Sequence, residues 1–205
     1  YAAPHDITSH AFLPAMARIK ARISANAKGI LAGSEMTAWA FTTFDPTLHV
    51  ALKQRDGEHV GKGQVILTVE GLARSIFAAE RTALNLLGHL SGIATLTQAF
   101  VRKTQLSRAK ILDTRKTLPG LRMLEKYAVR VGGGYNHRLD LADSVLIKTN
   151  HLIAIDRLKA RHASVWRVVG KTVDALRENG ELVEIEVTNL REFKAALELV
   201  PSVIL

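Results

Sequence analysis

Apolar and charged residues alternate near the start of the chain. Ala17, Ile19, Ala21 and Ile23 fall on one side, with Arg18, Lys20 and Arg22 on the other. A period of two predicts a half-buried strand over residues 15–25. Lys28-Gly29 then turns the chain into Ile30-Leu31-Ala32-Gly33, and residues 34–44 read as a helix with Ser34 as its N-cap and Glu35 in its first turn. Asp56-Gly57, Gly61 and Gly63 punctuate the stretch before another strand over residues 64–70. Residues 15–78 therefore predict a small β-rich sandwich or barrel. Gly61-Lys62-Gly63 is a turn rather than a dinucleotide fingerprint, because no third glycine and no helix follow at the required offset.

Near Ala78 the period lengthens. Ala83, Leu84, Leu87, Leu90, Ala94 and Leu96 recur at helical spacing over residues 79–105, with Ser91-Gly92 as a break or a close helix contact. A domain boundary is expected at about residue 75, giving an N-terminal domain over 1–75 and a second domain over 76–205. Beyond it, strands and helices alternate. Residues 109–113, 144–147, 183–187 and 202–205 read as strands, and 119–131, 155–178 and 190–199 as helices. Pro119 opens the first of these helices, and Gly132-Gly133-Gly134 ends it. The glycine triplet also has a second reading, as backbone that lets a ligand approach closely. Strands separated by helices imply parallel pairing, in a (β/α) barrel or an open doubly wound sheet. An eight-stranded barrel takes roughly 250 residues and only about 125 follow the first domain, so the chain reads as one domain and part of a second. Four strands fall short of closing such a barrel, and the 205-residue chain is on that ground expected to be inactive.

Composition narrows the function. The chain carries 28 Lys+Arg against 19 Asp+Glu, a net charge of +9, and no cysteine. Disulfides, thiolate nucleophiles and cysteine-held zinc are excluded. No apolar run approaches the ~18 residues of a membrane span, and Tyr1-Ala2-Ala3-Pro4-His5-Asp6 shows no leader pattern, so a cytoplasmic protein is expected. The excess charge is spread evenly, +4 in residues 1–104 and +5 in 105–205, with no basic run longer than two residues. With only 5% aromatic residues for base stacking, this argues for small polyanionic ligands over nucleic acid.

The ends of the predicted parallel strands carry the candidate chemistry, because ligands of such folds sit beyond the carboxyl ends of the strands. One strand runs into Asp113-Thr114-Arg115-Lys116, and another into Lys148 and then Asn150-His151. A third carries Glu184 and Glu186, and the glycine triplet leads into Asn136-His137-Arg138. Together these predict a cationic rim for a polyanion, with an acid available for a metal or a cationic intermediate. His89, on the apolar helix, reads as a packed or capping histidine, and no metalloprotease motif or Ser–His–Asp set is present.

These blocks also resemble the quinolinate phosphoribosyltransferase family. The resemblance rests on Glu80-Arg81-Thr82-Ala83-Leu84-Asn85, Leu90-Ser91-Gly92-Ile93-Ala94-Thr95, Asp113-Thr114-Arg115-Lys116-Thr117, Pro119-Gly120-Leu121-Arg122 and Glu125-Lys126-Tyr127-Ala128-Val129-Arg130. It continues through the glycine triplet with Asn136-His137-Arg138, Leu146-Ile147-Lys148, Asn150-His151 and Glu184-Ile185-Glu186-Val187. It implies an α/β fold, with a small N-terminal α/β sandwich domain followed by a (β/α) barrel of phosphoribosyltransferase type. It also implies transfer of phosphoribosyl from phosphoribosyl pyrophosphate to quinolinate with loss of CO₂ and pyrophosphate, giving nicotinate mononucleotide for NAD synthesis with Mg²⁺. By the same resemblance Thr114, Arg115, Lys116, His137, Arg138 and Lys148 line the substrate site, and Glu186 faces the ribose and metal region. Lys148 and Glu186 are the implied catalytic pair. Arg81 is implied to reach a neighbouring subunit's site, hence a homodimer or higher oligomer.

Two departures stand out. The family's Leu-Asp-Asn strand end and glycine-rich phosphate segment are absent, and Thr149 stands where relatives carry an acid. Other readings stay open: a related phosphoribosyltransferase using another aromatic acid, a Schiff-base enzyme using Lys148, or a polyanion-binding protein without catalysis.

Overall fold

A computed structural model of the chain describes residues 6–159 and 163–205, in two compact units, 1–137 and 138–205. Tyr1–His5, within the segment read as lacking a leader pattern, lie outside the described residues, as do residues 160–162 of the helix expected over 155–178.

In the first unit, Asp6 caps a short helix α1 (Ile7–Phe12), accepting from the Ser9 N–H at 3.0 Å. The alternating segment forms β1 (Arg18–Ser24), with its charged residues exposed and Ile19, Ala21 and Ile23 turned inward. After β2 (Gly29–Ile30) comes α2 (Ser34–Phe44), then β3 (His49–Leu52), β4 (His59–Val60) and β5 (Val65–Leu72). Strands β1, β5 and β3 form one antiparallel sheet, in that order, and β2 pairs with β4. Gly33 rather than Ser34 caps α2: its φ of 90° takes the chain out of the helix, and Ser34 is already the first helical residue.

Strand β5 runs straight into α3 (Ala73–Thr104), whose buried residues Ile76, Ala79, Ala83, Leu87, Leu90 and Ala94 are three or four apart. That stripe packs first against the sheet with Phe41, Leu67 and Val69, and further along against Ile30, Ala32 and Ala128. Ser91 marks a close contact and not a break. Its hydroxyl accepts from the Ala32 N–H and reaches the Ala32 carbonyl, each at 3.1 Å, and the helix continues unbroken. The expected boundary at residue 75 falls inside this helix.

The strand expected over 109–113 reduces to a single parallel bridge, Leu112 to Tyr135. The helix expected from Pro119 starts later, as α4 (Arg122–Val131), because Gly120 has a φ of 78° and holds a turn there. The glycine triplet ends α4 and presses its backbone onto α3. A Cβ on Gly132 would overlap the Ala94 carbonyl, and one on Gly134 would lie 2.8 Å from Thr97 Cγ2. Close packing thus accounts for Gly132 and Gly134, and a φ of 87° for Gly133.

The second unit holds β6 (Val145–Ile147), α5 (Thr149–Leu158), α6 (Val165–Glu178), β7 (Val183–Ile185), α7 (Leu190–Glu198) and β8 (Val203–Ile204). The strands form a parallel sheet in the order β6-β7-β8, as strands joined by helices require. Val183 and Ile185 are fully buried with Val169, Val173 and Ala196. The single helix expected over 155–178 is replaced by α5 and α6, the first starting directly after β6. Among the described residues no helix is long and apolar enough to cross a membrane.

Candidate functional site

In the first unit the candidate residues gather around one carboxylate. Asp113 Oδ1 accepts from the backbone N–H of His137 at 2.8 Å and is ion-paired to Lys126 Nζ. The side-chain amide of Asn136, oriented to satisfy its neighbours, donates to Asp113 Oδ2 and to the Lys126 carbonyl, each at 2.9 Å. Lys126 also donates to the His137 carbonyl at 2.9 Å. Both charges are withdrawn from water, with 2% of the Lys126 side chain and 7% of that of Asp113 exposed. The two segments carrying Thr114, Arg115, Lys116 and His137 are thereby joined.

Thr114 and Lys116 are exposed, and the Thr114 hydroxyl accepts from the Lys116 N–H at 3.0 Å in a local turn. Arg115 is half-buried, and its Nε is shut off from solvent with no hydrogen-bond partner. A buried guanidinium nitrogen without an acceptor is costly, and an anionic acceptor would offset that cost.

Arg81 lies on the exposed side of α3, beside a groove of about 710 Å³ lined also by Leu84, Asn85, Gly88, Gly92 and Ile23. A second, polar hollow of about 730 Å³ contains Asp56 and Tyr127. Asp56 accepts four hydrogen bonds there, from the N–H of Gly33 and of Ser34, the Ser34 hydroxyl and the Tyr127 hydroxyl, all between 2.6 and 2.9 Å. Burial pushes its pKa up, but these donors together outweigh burial and hold the carboxyl below its usual range. Burial, reinforced by Asp56, raises the Tyr127 phenol.

In the second unit Arg138 Nη1 donates to the Ser144 carbonyl at 3.1 Å, while its Nε is also buried without a partner. Lys148 is the N-cap of α5, exposed at the end of β6, and its backbone N–H donates to His151 Nδ1 at 2.9 Å. Glu186 follows β7 and accepts the Thr149 hydroxyl on Oε1 at 2.8 Å. Thr149 therefore serves as a donor to the acid, in a position where an acidic residue would repel it. Glu184 is buried within β7. His89 is paired with Glu125 at 3.0 Å, in keeping with its reading as a packed histidine.

Comparison with known proteins decides the family. The model of the quinolinate phosphoribosyl transferase N-terminal domain matches residues 6–91, and that of the C-terminal domain matches 93–205. The chain belongs to the quinolinate phosphoribosyltransferase family. A nicotinate-nucleotide pyrophosphorylase [carboxylating] of Mycobacterium leprae is 42% identical over 98% of this chain and 68% of its own length. The chloroplastic enzyme of the same name from Arabidopsis thaliana is 40% identical over 94% of this chain and 53% of its own. The solved nicotinate-nucleotide pyrophosphorylase from Francisella tularensis superposes with a TM-score of 0.83 at 35% identity, covering 98% of this chain and 68% of that one. The chain thus spans about two thirds of these bacterial relatives and about half of the plant relative.

Within this quinolinate phosphoribosyltransferase chain, the basic residues at the strand ends were legible in the sequence but what holds them was not. Lys126 had no pattern to separate it from surface lysines such as Lys103, and Asp56 lies 71 residues from the tyrosine it holds. The Glu125-Lys126-Tyr127 motif was the available signal, since all three side chains make tertiary bonds.

Proposed function

We propose that the protein transfers the phosphoribosyl group of phosphoribosyl pyrophosphate to quinolinate, releasing CO₂ and pyrophosphate and forming nicotinate mononucleotide. The observation that carries this reading is the match of both family domains, over residues 6–91 and 93–205; Arg115 and Arg138, each with a buried Nε and no acceptor, are in keeping with an anionic ligand. Quinolinate is a dicarboxylate and the donor carries a phosphate and a pyrophosphate. Arg115, Lys116, His137, Arg138 and Lys148 offset that charge and hold both substrates, with Thr114 as a hydroxyl partner.

The pyridine nitrogen attacks the anomeric carbon as the bond to pyrophosphate breaks, and positive charge grows on the ribose. Glu186, kept in place by Thr149, stabilises that charge. Once alkylated, the ring nitrogen draws in the electron pair of the breaking carbon–carboxylate bond, CO₂ leaves, and a proton from solvent takes its place. Arginine pairing too tight to the departing carboxylate would stabilise the ground state and slow this step, so Arg115, Arg138 and Lys148 position the substrate rather than act as acids.

Among the described residues no three His, Asp or Glu side chains cluster to hold a metal ion. Mg²⁺ keeps several waters and binds through one or two carboxylates together with phosphates, and Glu186 fits as such a carboxylate for an ion arriving on the pyrophosphate. The ion would neutralise the leaving group. Arg81, exposed beside its groove, is the residue through which a second subunit is served, so the proposal includes a dimer. A cytoplasmic location belongs to the same proposal.

The test is release of labelled CO₂ from the 2-carboxylate of quinolinate, together with a panel of other pyridine carboxylates and borohydride treatment. The reading requires that any turnover release one CO₂ and one pyrophosphate, dependent on phosphoribosyl pyrophosphate and Mg²⁺, and turnover by the 205-residue chain itself overturns the expectation that it is inactive. Equal turnover of nicotinate, or a borohydride-trapped adduct on Lys148, would overturn it.

A further inference from the structure

The Glu125-Lys126 pair on α4 has no part in the chemistry proposed above, yet its two side chains bracket the segment that does. Lys126 is ion-paired to Asp113, immediately before Thr114-Arg115-Lys116-Thr117. Glu125 Oε2 accepts from the N–H of Leu118 at 3.3 Å, immediately after that segment. Arg122, one turn earlier on α4, reaches the Thr117 hydroxyl at 3.3 Å. Through the same Asp113 carboxylate, Lys126 also fixes the backbone of His137.

Fold stability does not explain a lysine here. Withdrawing an ammonium and a carboxylate from water costs several kcal/mol per ion, and a well-packed apolar pair at such a site is often as stable or more so. What an apolar pair lacks is direction. The Lys126 ammonium has three donors, and two of them meet Asp113 and the His137 carbonyl. The Asp113 carboxylate in turn takes the His137 N–H and the Asn136 amide. A closed set of directional bonds fixes two substrate-binding segments in one register, which greasy contacts do not. Misplacing binding groups by about 1 Å is enough to cost on the order of a hundredfold in rate.

We infer that Lys126, with Glu125, is a positioning residue that presets the Arg115–Lys116 segment and His137 for the dicarboxylate substrate. The inference deepens the transferase reading and rests on it for the identity of the ligand.

The decisive variant removes both charges together, Lys126→Met with Asp113→Asn, and leaves no unpaired ion in the interior. Three readouts are compared with the parent protein: melting temperature, quinolinate affinity by calorimetry, and hydrogen exchange at the amides of Lys116 and His137. The positioning role requires a melting temperature within a few degrees of the parent, at least tenfold weaker quinolinate binding, and at least tenfold faster exchange at both amides. Lys126→Arg keeps the charge but displaces the donors, and gives an intermediate loss of affinity; it carries the test if the double variant does not fold. Quinolinate affinity within twofold of the parent, with exchange unchanged, overturns the inference. If the parent itself binds no quinolinate, the transferase reading falls. Exchange then decides the positioning role alone: faster amides sustain it, and unchanged ones end it.

Discussion

Asp56→Asn isolates the bond set that ties α4 to the N-terminal sheets. The substitution keeps the shape and one carbonyl oxygen, so the two Ser34 donors retain an acceptor on Oδ1. The other side fares worse, because an amide NH₂ then faces the Gly33 N–H that lies 2.7 Å from Oδ2. Tyr127 can reverse its hydroxyl and accept, but the Gly33 donor is left unsatisfied. A buried donor without an acceptor costs about 1–3 kcal/mol, and a hydrogen bond to a neutral group is about 1 kcal/mol weaker than one to a charged group. Losing the negative charge at the N-terminus of α2 adds up to about 1 kcal/mol. The sum is about 4 kcal/mol. Urea unfolding read by Trp39, which sits on α2, in a Trp166→Phe background reports the first unit directly. The pH dependence has a definite sign. A carboxyl held below its usual pKa stabilises the fold fully above the unfolded value near 4, and loses that contribution as pH falls through the folded value. The gap between parent and variant must therefore narrow between pH 5 and pH 3. Other carboxyls such as Asp6 and Asp45, also lowered, are common to both proteins and cancel in the difference. A loss under about 1 kcal/mol at pH 7, or a gap indifferent to pH, would refute the account.

Three further outcomes are expected. Arg138→Gln removes a guanidinium with an unused buried donor, so quinolinate binding weakens by about 10- to 100-fold while kcat changes little; a collapsed kcat with unchanged KM for quinolinate would contradict substrate positioning. Thr149→Val deprives Glu186 of its hydroxyl partner, so kcat/KM for phosphoribosyl pyrophosphate falls several-fold, quinolinate affinity stays constant, and Thr149→Ser restores the rate. Gly132→Ala drives a methyl into the Ala94 carbonyl and lowers stability by about 2 kcal/mol or more, whereas Gly92→Ala, in open space on α3, raises it by about 0.5–1 kcal/mol. Urea midpoints of the two variants must move in opposite directions.

The elements that were legible in the sequence are those whose pattern is set by one continuous packing surface. The α3 stripe from Ile76 to Ala94 follows one core, and β1 alternates because only one of its faces meets the helices. Where a single distant or local contact overrides the pattern, the reading failed. The apolar run at 109–113 looks like a strand, but its backbone finds only Tyr135 to pair with, and Leu112 remains half-exposed. Pro119 is a sound helix starter, yet the positive φ of Gly120 postpones the helix to Arg122. Ser34 has the right chemistry for an N-cap, but an aspartate 22 residues later supplies the capping oxygens.

The same distinction governs the cations. Arg115 and Lys126 are both single basic residues within one short stretch, and composition counts them alike. Packing separates them: one has a closed set of partners, and the other has a buried nitrogen and no partner for it. Lys126, with two of its three donors engaged in the interior, holds the frame, whereas the Arg115 Nε has no acceptor among the described residues. The rim expected from sequence is thus a division of labour. In the proposed reading Lys126 spends its charge on Asp113 so that Arg115, two residues along from that carboxylate, is preset for an anionic substrate, and the charge of the first becomes useful through the geometry of the second.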